Sequence, residues 1–514
     1  MKSRIDRLLC DSEYAASLVR DGQTVACGGF VGAAHPEALT AAIERRFQSG
    51  KGPENLTLVY GAGQGDGKLR GLNHLAHEGL VRRVIGGHWG LAPGLGQMAI
   101  SGKIEAYSFP QGVICQLYRD IAAGRPGCIT HVGLGTFIDP ENHGGRLNAA
   151  TTNELVSRIE LDGRTWLFYR AFPIVVGLIR ATAADPFGNL IMDEEAVIGE
   201  VLSIAQAAHN CGGKLIAQVR RLLDRPAPPQ QVKVPGILVD QIVVAEDAEH
   251  QQTFAESLNS SYFSSGPGNI TQDDLHCEKL PAGARRIVAS RACDELLPGA
   301  VANLGIGMPE GVARIAAERK MLDQITLTVE SGPIGGIPAG GLSFGASAWP
   351  EAIIDQPAQF DFYDGGGLDY AALGAAQVDQ HGNVNVSRFH DRVAGVGGFV
   401  NISQNARRVV FCGAMTSGGL DVEVVDGQLR IIREGSIRKF VEQVEQVSFS
   451  GQVAARSGRE ILFVTERAVF ELTAKGLRLI EVAPGIDIRN QILNLMDFTP
   501  DVSSVRLMAA SCFQ

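Results

Sequence analysis

The sequence predicts an α/β protein of two related halves in tandem, each with a largely parallel sheet, and with its active site in the cleft between them. Three observations predict this. Short apolar, β-branched runs alternate with amphipathic helical segments along the chain. Many of those runs end in glycine clusters, and 62 of the 514 residues, about 12%, are glycine, against a usual ~7%. The pattern of the first 248 residues restarts near residue 284. The reading is therefore an N-terminal domain over 1–248, a linker over 249–283 and a C-terminal domain over 284–514, each within the usual domain size.

The first half opens with Thr24-Val25-Ala26-Cys27, a short strand, then the turn Gly28-Gly29-Phe30-Val31-Gly32 and a helix beginning near Pro36-Glu37. Proline at a helix's first position followed by an acid is a start signal. Leu39, Ile43 and Phe47 supply its apolar face. Leu56–Tyr60 is a strand running into Gly61-Ala62-Gly63-Gln64-Gly65. Further strands are expected at 81–86, 104–109 and 129–132, alternating with helices in a parallel sheet. Segments 166–169 and 175–179 read as strands of a more antiparallel region. Asp185-Pro186-Phe187-Gly188-Asn189 reads as a turn, 196–208 as a helix and 214–219 as a strand. The stretch 249–283 is polar and rich in Ser, Gly and Gln, as a connection would be.

The second half echoes the first. Pro36-Glu37 aligns with Pro309-Glu310, an offset of 309 − 36 = 273. Leu56-Thr57-Leu58 aligns with Ile325-Thr326-Leu327, an offset of 325 − 56 = 269. A third echo pairs Asp185…Gly188-Asn189 with Asp379…Gly382-Asn383. On the second register Gly61 aligns with Glu330, so only the second half carries an acid at that strand end. Ligands bind outside the carboxyl ends of strands in open α/β sheets. An ionised carboxylate needs no general base to act as a nucleophile. Glu330, within Val329-Glu330-Ser331-Gly332-Pro333, is either a loop cap or such a nucleophile, and its absence from the first half favours chemistry.

Bulk properties exclude several classes. A net charge of −10 without a long basic run argues against nucleic-acid binding. Residues 1–7 hold no apolar signal region, and no 18-residue apolar run predicts a membrane span. Nine scattered cysteines, with no Cys-x-x-Cys, suit reduced thiols in the cytoplasm. His74 and His77 have a spacing two metal ligands could use, but no third ligand is evident, so no metal and no cofactor are expected. His88 reads as structural. The glycine turns at Gly28 and Gly305 do not spell Gly-x-Gly-x-x-Gly, so nucleotide binding is weakly supported. The run Gly395-Val396-Gly397-Gly398 either bends the chain or offers backbone N–H groups to an oxyanion.

Taken together, Val329-Glu330-Ser331-Gly332, Gly28-Gly29-Phe30…Pro36-Glu37 and Gly395-x-Gly397-Gly398 resemble the family I coenzyme A transferases in their fused two-half form. Gly61-Ala62-Gly63-Gln64-Gly65-Asp66-Gly67, Gly86-Gly87-His88-Trp89-Gly90 and Phe360-Asp361-Phe362-Tyr363-Asp364-Gly365 look like the branch with acetate and propionate CoA-transferases. Two positions depart from the family pattern. Ser331 stands where the 3-oxoacid branch commonly has Asn, and Ala34 where Gly commonly precedes the proline by two residues. The resemblance implies ping-pong transfer of CoA from a short-chain acyl-CoA to a carboxylate through a γ-glutamyl-CoA thioester on Glu330. It also implies CoA as substrate rather than cofactor, and a homo-oligomer. By analogy, Gly397 and Gly398 supply oxyanion contacts, and Gln64 helps bind the acyl oxygen from the other half. The competing readings are an acyl-CoA hydrolase on the same scaffold and a nucleotide-binding protein without transferase activity.

Overall fold

The computed structural model describes residues 3–266 and 279–514. Leu56–Tyr60 is buried at every position, as expected of a parallel strand covered on both faces. It pairs in parallel with Thr24–Cys27 on one side and Val81–Gly86 on the other. Across the first half the parallel strands run in the order Gln241–Val244, Lys214–Leu222, Val176–Ala184, Thr24–Cys27, Leu56–Tyr60, Val81–Gly86 and Glu105–Ser108. Two short antiparallel additions make a nine-stranded sheet among the described residues. The helix after the first glycine turn runs Glu37–Gln48 and buries Leu39 and Ile43, as the pattern predicts.

Three expectations of the first half are corrected. Val176–Ala184 pairs antiparallel only at its last residues, with Leu190–Ile191. It is buried throughout and takes the central slot between Thr24–Cys27 and Lys214–Leu222, parallel to both. Gly127–Thr130 does not join the main sheet. It pairs antiparallel with Arg164–Arg170, which pairs with Val156–Leu161, in a separate three-stranded sheet. Its exposure alternates, with Ile129 half exposed, so it suits a sheet with one wet face. The expected helix over 196–208 starts later, at Val201–Asn210. The residues before it form a loop that carries Glu195 and Glu200 into the interior.

The second half repeats the topology. Its parallel strands lie in the order Glu460–Val464, Arg408–Cys412, Tyr370–Gly374, Val301–Leu304 and Thr326–Thr328. Position by position this matches 241–244, 214–222, 176–184, 24–27 and 56–60 of the first half. The twin turns are equally alike. Asp185 accepts from the backbone N of Phe187 (2.8 Å) and Asn189 (2.9 Å) and from Asn189 Nδ2 (2.9 Å). Asp379 accepts from the backbone N of His381 (2.9 Å) and Asn383 (3.0 Å) and from Asn383 Nδ2 (2.9 Å). Each Asn side chain then accepts a glycine N–H, from Gly236 at 2.8 Å and Gly451 at 2.9 Å.

The halves diverge after one strand. Leu56–Tyr60 is followed in the sheet by another parallel strand, whereas Thr326–Thr328 is followed by antiparallel Pro333–Ile334. The chain therefore reverses through 329–332, and Glu330 sits in that reversal. One core spans both halves and joins Val25, Leu58 and Leu178 to Val329, Phe344, Val396 and Val400. Alternate residues of the second sheet feed two further cores. Ala371, Val409 and Phe411 face one, and Tyr370, Ala372 and Val410 the other. The expected connection 249–283 lies partly outside the described residues. In its described part Phe254 and Tyr262 are buried, Arg70 Nη2 donates to Phe254 O at 2.8 Å, and Thr253 and Ser343 share a 2.9 Å hydroxyl contact.

Candidate functional site

Glu330 is held by a tight loop. Gly332 N donates to Val329 O at 3.0 Å, and Val329 N to Pro333 O at 3.0 Å. Gly332 has φ +127°, and a Cβ there would meet Ile354 O at 2.1 Å, so only glycine fits. Ser331 faces inward and donates its hydroxyl to Gly345 O at 2.5 Å. It anchors the loop and leaves the Glu330 carboxyl as the reactive group. Asn303 Nδ2 donates to Glu330 Oε2 at 3.2 Å, and Tyr363 Oη, bonded to Thr328 Oγ1 at 2.7 Å, lies 3.4 Å from the same amide. Burial pushes the Glu330 carboxyl above the usual carboxylate range, and the Asn303 amide pulls partly against it. The Glu330 backbone N–H also pulls against the shift, and a carboxylate stripped of most of its water is more nucleophilic than a fully solvated one.

The glycine run lies directly against it. A Cβ on Gly398 would stand 3.4 Å from Glu330 Cγ. Val396 N and Gly397 N both donate to Gly87 O of the first half, at 2.9 and 3.0 Å. Among the described residues the N–H of Gly398 has no partner. Gly397 thus spends its N–H on joining the halves, while Gly398, packed against the Glu330 side chain, keeps its own free. His88 packs on the same run, 3.5 Å from a Cβ placed on Gly397. Burial, aided by Arg392, lowers its pKa to about 4, which leaves it neutral at pH 7.

Gln64 is buried, and its amide is engaged inside the first half. Nε2 donates to Cys27 O at 2.9 Å, and Oε1 lies 2.7 Å from His35 Nδ1. The loop that holds it is strained. Val31 has φ +54° and Ala34 φ +55°, a left-handed region that costs a residue with a Cβ about 1–2 kcal/mol. Glycine, the residue common in the related pattern at position 34, adopts that conformation without the penalty. His74 and His77 are held by carboxylates: His74 by Glu37 (2.9 Å) and Glu44 (2.5 Å), His77 by Glu44 (2.6 Å).

The structure adds residues that sequence reasoning missed. Gln111 opens the helix Gln111–Ala122; its backbone N donates to Gly397 O at 2.9 Å, and its Oε1 lies 3.7 Å from a Cβ on Gly397. Its Nε2 is buried without a partner among the described residues. Farther along, Tyr118 Oη, Gln356 Oε1 and both carboxyl oxygens of Glu200 are buried and unpaired as well. Each such atom costs about 1–3 kcal/mol unless a ligand or water meets it. Burial pushes the Glu200 carboxyl up to about 8. The available sequence signal for Gln111 is Pro110-Gln111-Gly112 at a strand-to-helix turn, the same setting as the other glycine turns.

Two α/β halves that meet over one strand-end carboxylate, with a free backbone donor beside it, form a site suited to covalent acyl transfer. Residues 11–245 match the family described as Coenzyme A transferase. The chain belongs to that family, in its fused two-half form (family I), and is a CoA-transferase. It is 40% identical to acetate CoA-transferase YdiF of Escherichia coli K12 over 98% of this chain and 94% of that protein. It is 44% identical to caffeate CoA-transferase of Acetobacterium woodii over 96% of this chain and 94% of that protein. The solved structure of YdiF from E. coli O157:H7, a thioester complex with CoA, superposes with a TM-score of 0.92 at 38% identity, covering 98% of this chain and 96% of that one. Among the described residues no helix is long and apolar enough to cross a membrane.

Proposed function

We propose that the protein moves CoA from a short-chain acyl-CoA to a carboxylate acceptor, with Glu330 as the covalent carrier. The observation that carries this reading is the Glu330 carboxyl at the strand end, held by the Asn303 amide, with Gly398, whose N–H is free, packed against its side chain. Glu330 Oε attacks the thioester carbonyl. The C–S bond breaks, giving an acyl–glutamyl anhydride and the CoA thiolate. The thiolate attacks Glu330 Cδ, the anhydride C–O bond breaks, and the first carboxylate leaves from a γ-glutamyl-CoA thioester. An acceptor carboxylate reverses the two steps. The Gly398 N–H and Gln111 Nε2 hold the tetrahedral oxyanion, each such donor contributing ~10²–10³ in rate. Gln64 acts indirectly, by fixing His35 and the Val31–Gly65 turn that backs the cleft.

The thioester complex solved for YdiF supports the covalent intermediate. The acetate and caffeate relatives support monocarboxylate acceptors, and the cysteines among the described residues, all unbridged, support a cytoplasmic setting. The test is incubation with acetyl-CoA alone, followed by mass analysis of the peptide containing Glu330. A CoA adduct on Glu330, absent in Glu330→Ala together with activity, is expected. Full activity in Glu330→Ala would refute the mechanism. CoA release at the transfer rate without any carboxylate acceptor would point to hydrolysis instead.

A further inference from the structure

A row of buried polar groups leads away from Glu330 between the halves, and beyond Gln111 the transfer chemistry leaves it unused. The helix Gln111–Ala122 carries Gln111, Cys115 and Tyr118 at i, i+4 and i+7, on one face. Gln111 stands at the level of Glu330, through its contacts with Gly397. One turn on, Cys115 Sγ accepts from Gln356 Nε2 at 3.0 Å, a contact that reaches across to the second half. Glu200 sits opposite. It precedes the helix Val201–Asn210, yet its carboxyl makes no capping bond there, and it is only 1% exposed. A Cβ placed on Gly61 would lie 3.4 Å from Glu200 Oε1, 3.4 Å from Gln356 Nε2 and 3.6 Å from Cys115 Sγ. Gly61 therefore borders a space for one methyl-sized group, enclosed by a carboxyl, an amide and a thiol. This is the register position that Glu330 occupies in the other half.

We propose that this space is the far end of the acyl subsite, where Glu200 and Gln356 bind an oxygen substituent on C3 or C4 of the acyl chain. The proposal rests on the transferase reading above. The distance sets the position: one helical turn from Gln111 is about 5.4 Å, the reach of roughly four carbon–carbon bonds in a zigzag chain. The chemistry sets the substituent. A pocket for a plain alkyl chain is lined by apolar groups, whereas an alkyl group here leaves the Glu200 oxygens and Gln356 Oε1 unpaired. A hydroxyl is met by both, donating to Gln356 Oε1 and accepting from a protonated Glu200 carboxyl, whereas a keto oxygen can only accept. Burial favours the protonated Glu200, which can donate as well as accept. A site built to hydrogen-bond an oxygen discriminates strongly against the analogue lacking it.

The test measures kcat/KM for butyryl-CoA, 3-hydroxybutyryl-CoA and 4-hydroxybutyryl-CoA, with acetate as acceptor. The wild type is expected to favour at least one hydroxyacyl donor over butyryl-CoA by about 100-fold or more. Glu200→Leu should lower that ratio at least tenfold. Gly61→Ala fills the same space with a methyl that meets nothing closer than 3.4 Å, so it keeps the fold and should also lower the ratio at least tenfold. A wild-type ratio near one would overturn the subsite. So would an equal change for all three donors in either variant, which is the signature of a merely hydrated seam. No transfer from any donor, with no adduct on Glu330, would overturn the transferase reading and the subsite with it.

Discussion

Replacing Glu200 by Gln should make the protein progressively more stable than the wild type as the pH rises from 5 to 8. The Glu200 carboxyl is desolvated and unpaired, which holds its folded-state pKa at about 8, while in the unfolded chain it titrates near ~4.3. A raised carboxyl pKa means that the folded state keeps a proton the unfolded state has lost. The stability contribution is therefore intact below pH ~4.3 and is lost as the pH rises toward 8. Each pH unit in that window costs about 1.4 kcal/mol, so between pH 5 and 7.5 the wild type should lose roughly 3 kcal/mol relative to Glu200→Gln. The groups that face Glu200 do not titrate here, because burial pushes Cys27, Cys115 and Tyr118 upward and keeps them neutral. Urea unfolding of both proteins at pH 5, 6, 7 and 8 reads the gap directly. Parallel stability profiles would refute the reasoning, since they would show Glu200 already ionised in the folded protein.

Two further substitutions test the neighbouring loops. Ala34→Gly should stabilise the protein by roughly 1 kcal/mol in urea unfolding, because glycine relieves the φ +55° strain; a lower stability would show that the Ala34 methyl packs better than its backbone is strained. Gly398→Ala adds a methyl 3.4 Å from Glu330 Cγ, Ile402 Cδ1 and Phe360 Cζ at an ordinary φ of −78°. It should leave stability within about 1 kcal/mol while lowering kcat about tenfold or more through pressure on the nucleophile, and an unchanged kcat would show that this contact does not set the position of Glu330.

The sequence alone determined the features whose causes are local. The twin Asp–Gly–Asn turns were legible because the bonds by which each Asp shapes its own turn lie within five residues. The glycine-terminated strands and the Pro36–Glu37 helix start were legible for the same reason. Glu330 stood out because the repeat placed Gly61 at its register, and the antiparallel return at Pro333–Ile334 now gives that asymmetry a structural basis. Tertiary structure alone decided what depends on partners far along the chain. Val176–Ala184 became a central parallel strand because two distant strands close on it. Gly397 and Gly398 look interchangeable in sequence, and only the Gly87 carbonyl separates the engaged N–H from the free one. In the sequence Gln111 carries no signal of its own beyond its place in the Pro110-Gln111-Gly112 turn, and Glu200 falls inside the expected helix over 196–208. Their burial follows from packing between the two halves, with Gln356 reaching across 241 residues of chain to Cys115, and no local pattern encodes a contact of that range.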